Sequence, residues 1–204
     1  MSSVDRPIPV TILTGFLGSG KTTLLNHILS APHGEKIAVI ENEFGEVGID
    51  NELLVAGSEQ IVEMNNGCIC CTVRGDLVRI LTDLAAQRDA GKLDFARVLI
   101  ETTGLADPGP VAQTFFLDEA VARHYVLDAV IVTVDAVHAM RQLDEQPQVQ
   151  EQVGFADRLL LTKTDLVDAG QQARLAERLA GINPRAPLRP VLHGEVPLAE
   201  LLDI

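Results

Sequence analysis

Pro9-Val-Thr-Ile-Leu-Thr-Gly15-Phe-Leu-Gly-Ser-Gly-Lys21-Thr22-Thr23-Leu-Leu-Asn-His-Ile-Leu29 decides the fold. An apolar run, Pro9 to Thr14, leads into Gly15-Phe-Leu-Gly18-Ser19-Gly20-Lys21-Thr22, which fits GxxxxGK[ST], and a helical pattern follows from Lys21 to Leu29. Strand, glycine-rich turn and helix in that order are the context in which this pattern marks a phosphate-binding loop. Gly15, Gly18 and Gly20 let the backbone curl close to a polyphosphate, whose charge meets backbone N–H groups and the amino end of the helix. Lys21 adds a point charge for the outer phosphates, and the Thr22 hydroxyl is the expected Mg²⁺ ligand.

Outward from this unit, further Val-, Ile- and Leu-rich runs recur at Lys36 to Ile40, Arg97 to Glu101, Asp128 to Asp135, Arg158 to Thr162 and Pro190 to Leu192. Their apolarity is continuous rather than alternating, the mark of strands covered on both faces of a parallel sheet. Helical patterns lie between them at Arg74 to Gln87, Pro108 to Phe116, Val149 to Ala156 and Ala169 to Leu179. The alternation predicts an α/β fold: a three-layer, doubly wound, mostly parallel sheet of the P-loop NTPase type, with ligands at the carboxyl ends of its strands. The longest irregular stretch, Glu41 to Cys71, carries only the short apolar pieces Leu53 to Ala56 and Gln60 to Val62. An insertion of that length points to function.

Two hundred and four residues suit a single domain spanning 1–204. Apolar residues at 47% and charged residues at 22% are ordinary globular usage. Sixteen basic against 29 acidic side chains leave a net charge of −13, a field that repels bulk nucleic acid and anionic membranes while leaving room for a local phosphate site. The opening MSSVDRPIPVTILTG has an acid and two prolines where a signal peptide needs a basic segment and an apolar core, so a cytoplasmic location is expected.

Two more strand ends carry chemistry. Leu159-Leu-Leu-Thr162-Lys163-Thr164-Asp165 closes an apolar run with TKxD, resembling the guanine-specificity motif of GTPases. There the Asp165 carboxylate accepts the ring N–H and exocyclic amine of guanine, a pair adenine lacks, while the Lys163 stem packs along the base. Val98-Leu-Ile-Glu101-Thr-Thr-Gly104 ends in an acid suited to hold Mg²⁺ through water and, three residues on, a glycine suited to sense a γ-phosphate. Asp135, at another strand end, is assigned only the capping of the turn beyond it. No glutamine or arginine finger is identifiable, so Lys21, Thr22 and Glu101 make up the catalytic set and intrinsic hydrolysis should be slow.

The three cysteines, Cys68, Cys70 and Cys71, lie within four positions just ahead of a helical stretch. An odd, crowded set is wrong for a disulfide framework and right for a reduced cluster, where a helix amino terminus favours thiolates. Thiolates select Zn²⁺, Cu(I) or other late metals. Adjacent residues diverge, so two cysteines with donors from elsewhere form the expected tetrahedral set, which two being left open. Acidic donors stand in Glu41-Asn-Glu43-Phe-Gly-Glu46.

GFLGSGKTT, ENEFGE, GCICC, ETTG with ADPGP, and TKTD, in this order and spacing from about Pro9 to His193, resemble the CobW/YjiA-like GTPases, SIMIBI-class relatives of the nickel-handling GTPases of urease and hydrogenase maturation. The resemblance implies a GTPase that binds Zn²⁺ or Co²⁺ and couples nucleotide state to metal delivery to a client metalloprotein. It carries nucleotide binding onto Gly15 to Thr23, base recognition onto Lys163 and Asp165, and the metal role onto Glu41, Glu46, Cys68, Cys70 and Cys71. It also makes His193 a candidate metal donor. Family members usually carry a second, smaller α/β domain, and the resemblance implies that residues 1–204 make up the GTPase domain without it. The alternative is a metal-sensing regulator or scaffold in which the nucleotide is structural.

Overall fold

The computed structural model describes residues 6–32, 34, 36–42, 53–56, 73–202 and 204. Among them, seven strands form one sheet in the order β3-β2-β4-β1-β5-β6-β7. In chain order the elements are β1 (Ile8–Gly15), α1 (Lys21–Ser30), β2 (Ile37–Asn42), β3 (Leu53–Ala56), α2 (Val73–Asp89), β4 (Arg97–Thr102), α3 (Pro108–Leu117) and α4 (Glu119–Ala122). There follow β5 (Tyr125–Asp135), α5 (Ala139–Glu145), α6 (Pro147–Phe155), β6 (Arg158–Thr162), α7 (Ala169–Ile182) and β7 (Leu188–Pro190). Every pairing is parallel except that of β3, which runs antiparallel along β2.

The continuous apolar runs are explained by burial on both faces. In β4, Val98 and Ile100 face one core while Leu99 faces the other, and in β5 Val130, Val132 and Val134 alternate with Ala129 and Ile131. The first core takes in side chains of α2 to α7; the second is closed by Leu24, Leu25 and Ile28 of α1 with Val191, Val196, Leu201 and Leu202 of the final segment. The result is the expected three-layer α/β sandwich. From β1 the chain passes to β2 on one side, and β5 lies on the other, so the crevice at the switch point opens at the end of β1.

Several local features differ from the expectation. Leu53–Ala56 forms a short edge strand. Helix α5 was not legible, because in seven residues only Ala139 and Leu143 reach the core. Helix α6 begins two residues early, with Pro147 in its first turn, where a fixed φ suits helix entry. The last strand is Leu188–Pro190 rather than Pro190 to Leu192, because His193 (φ 50°) and Gly194 (φ 79°) turn the chain back, pairing Leu192 with Glu195. None of the described helices is long and apolar enough to cross a membrane.

Candidate nucleotide site

The loop from Gly15 to Gly20 sits at the switch point, and its glycines answer different constraints. Gly15 (φ 141°) approaches β5 so closely that a Cβ would lie 2.4 Å from both the carbonyl and the hydroxyl oxygen of Thr133. Gly20 (φ 94°) occupies the position before α1 in a left-handed conformation and offers no capping side chain to the first helical amides.

Threonines clamp this loop. Ser19 and Thr133 share a hydroxyl hydrogen bond of 2.7 Å, and the Thr162 hydroxyl donates to the Ser19 carbonyl at 2.8 Å. The Thr102 hydroxyl donates to that of Thr14 at 2.7 Å, joining β4 to β1 directly below. All four threonines are buried. Thr14, Thr102 and Thr133 were not singled out from the sequence, although a hydroxyl inside an apolar run was the signal available.

Lys21 is buried, and its ammonium donates to the carbonyls of Gly15 (2.8 Å) and Phe16 (3.2 Å). Burial lowers its pKa from the ordinary 10.5, with the charge of Glu101 acting in the opposite direction. The Thr22 hydroxyl donates to Glu101 Oε1 at 3.3 Å. Lys21, Thr22 and Glu101, separated by 80 residues of chain, thus converge beneath the loop. Thr22 and Glu101 present hard oxygen donors of the kind Mg²⁺ takes. Gly104 is packed against the loop itself: a Cβ there would lie 2.5 Å from the Leu17 amide nitrogen. The Gln152 amide holds the same turn by donating to the carbonyls of Gly104 and Ala106.

On the other flank, Lys163 has a left-handed backbone (φ 56°) and opens a 3₁₀ turn, Thr164–Leu166, that leaves Asp165 exposed. The Lys163 ammonium lies 2.7 Å from Asp135 Oδ2. Thr23 is exposed at the start of α1, and Gly194 packs against its carbonyl.

Of the residues assigned to metal, Glu46, Cys68, Cys70 and Cys71 lie outside the described residues. The backbone of Glu41 is in β2, in parallel register with Glu101 of β4. His193 is exposed at the turn after β7, and among the described residues no group of three or more His, Cys, Asp or Glu side chains could hold a metal ion.

Residues 9–190 match the model of the CobW/HypB/UreG nucleotide-binding domain. The zinc chaperone YjiA of Escherichia coli K12 is 54% identical over 198 residues, covering 97% of this chain and 62% of that protein. The zinc-regulated GTPase metalloprotein activator 1 of Schizosaccharomyces pombe is 37% identical over 211 residues, covering all of this chain and 50% of its own length. Among solved structures, the Zn(II)-bound YjiA GTPase from E. coli superposes with a TM-score of 0.76 at 50% identity, over 97% of this chain and 62% of that one. This chain therefore spans between half and two thirds of these relatives. By the match of its nucleotide-binding domain and its identity to these proteins, the chain belongs to the CobW/HypB/UreG family.

Proposed function

We propose that this domain binds and slowly hydrolyses GTP, and that it uses the nucleotide to control capture and delivery of Zn²⁺ or Co²⁺ to a client metalloprotein. The observation that carries the coupling is the register of β2 on β4, which sets Glu41, the first acid of the metal-binding insertion, beside Glu101 of the nucleotide site. Adjacent parallel strands lie about 4.8 Å apart, so a change at Glu101 is felt at Glu41 without an intermediary. The similarity to YjiA, named a zinc chaperone, supports zinc as cargo.

In this reading Gly15 to Thr23 cradle the polyphosphate. Lys21 leaves its two carbonyl partners for the outer phosphates, and burial strengthens its charge against them. Thr22 and Glu101 are the residues that would hold Mg²⁺, which when bound neutralises charge on the transferred phosphoryl group. Gly104, tight against Leu17, carries loop movements into the chain leading to α3. Asp165 reads the guanine edge and Lys163 covers the ring. GTP orders the insertion so that Glu41, Glu46 and two of Cys68, Cys70 and Cys71 close on the metal, and hydrolysis loosens them. His193 remains a candidate donor.

The test is Zn²⁺ and Co²⁺ affinity with a non-hydrolysable GTP analogue and with GDP. Tighter metal binding in the triphosphate state, lost in Glu41→Ala and in the serine variants of two of Cys68, Cys70 and Cys71, is the expected result. Equal affinities in both states would remove the coupling and leave a metal site beside an unrelated nucleotide site.

A further inference from the structure

Asp135 is 2% exposed at the side chain, yet every direction of its carboxylate is used. Oδ1 accepts from the backbone N–H groups of Val137 (2.8 Å) and His138 (3.3 Å), which fixes the turn after β5. Oδ2 accepts from the Lys163 ammonium at 2.7 Å and is 2.9 Å from Nδ1 of the half-exposed His138 imidazole. A capping aspartate needs only the first pair. The second pair ties the end of β5 to the lysine at the end of β6, beside a backbone bond from the Ala136 N–H to the Thr162 carbonyl.

Independent of this, Lys163 is one of two described non-glycine residues with a positive φ. Left-handed backbone is disfavoured for a lysine and persists where surrounding contacts hold it. A free lysine stem is also rich in rotamers that a bound base would have to freeze.

We propose that Asp135 is a positioning residue for nucleotide binding, held in place by His138: it anchors the Lys163 ammonium so that the stem lies ready against the purine ring before the base arrives. The inference rests on the reading of Lys163 and Asp165 as the base site. It adds two residues, outside the TKTD sequence itself, to the determinants of base affinity. The ligand moiety concerned is the purine, not the phosphates, which the Gly15 to Gly20 loop holds on the other flank.

The experiment measures the affinity of the whole chain for GDP and for inorganic tripolyphosphate, a ligand with no base. Asp135→Asn keeps the shape and an oxygen for the turn amides but turns an amide donor toward the lysine. Lys163→Met keeps an apolar stem and removes the anchored charge. Each should weaken GDP about tenfold and leave tripolyphosphate unchanged, and the double variant should lose no more than either alone. Equal weakening of both ligands, or losses that add in the double variant, would overturn the proposal. Asp165→Asn keeps the underlying reading separate. If it leaves GDP affinity intact, the base does not dock on this loop; if it weakens GDP while Asp135→Asn does not, the base docks without the anchor and the proposal falls. Should Asp135→Asn fail to fold, Lys163→Met alone decides, since unchanged GDP affinity there contradicts any need for the anchor.

Discussion

Lys21 is a buried cation whose two partners are carbonyls of the loop it serves, Gly15 and Phe16. Replacing it with alanine should lower GTP affinity by at least about a hundredfold, measurable by calorimetry, because no other lysine or arginine stands in the loop. At Gly104 a methyl group would meet the Leu17 backbone as well as its side chain, so Gly104→Ala must push Leu17 and its loop aside. The expected cost is about 1–3 kcal/mol of stability together with weaker nucleotide binding, read from thermal melts and titration. Asp135 adds a pH dependence. Burial pushes its carboxyl up, but hydrogen bonds from Lys163, His138 and the Val137 amide outweigh that and hold it below the ordinary 3.8. A group with a depressed folded pKa stabilises the fold above its unfolded value and loses that contribution as pH falls toward the folded one. The melting temperature of the native chain should therefore drop more steeply below about pH 4 than that of Asp135→Asn.

At the scale of elements, helix α7 begins with a reciprocal cap: Asp168 accepts from the Gln171 N–H at 2.8 Å while the Gln171 side chain accepts from the Asp168 N–H at 2.9 Å. Asp168→Ala should lower stability by about 1 kcal/mol, seen in denaturant unfolding, and leave GTP affinity alone. The strands and longer helices were legible because burial on both faces of the sheet leaves long apolar runs, and because Gly15 to Gly20 separates β1 from α1 with an unmistakable spacing. Short elements were not. Helix α4 has four residues and only Val121 buried, and strand β3 has four residues at a sheet edge, too little for a period to register. Candidate site residues could be read from the sequence where a motif is contiguous, as at Lys21 and Asp165. Groups made by tertiary pairing could not be read, as for the hydrogen bonds of Thr133 with Ser19 and of Lys163 with Asp135, whose partners are 114 and 28 residues apart.

Across the whole molecule, Arg97 of β4 reaches over β1 to Asp128 of β5 in a buried ion pair of 2.6 Å, with Thr11 of β1 beneath, and Asp128 also accepts from the Ile204 N–H. Arg97→Ala should cost about 3–5 kcal/mol, whereas joint replacement by Met and Leu should recover most of it, a comparison made by denaturant unfolding. Strand β1 lies at the middle of the sheet, yet its neighbours come from much later in the chain, β4 and β5. Ser19 is locked by Thr133 and Thr162, at separations of 114 and 143 residues. During synthesis the phosphate loop thus leaves the ribosome early but cannot close until residues 133 and 162 have emerged. Contacts of such long range also make for slow folding. Competence to hold nucleotide then arrives late and all at once, and a nascent chain ending before Thr133 should fail to retain a fluorescent guanine nucleotide that one extending past the TKTD turn retains.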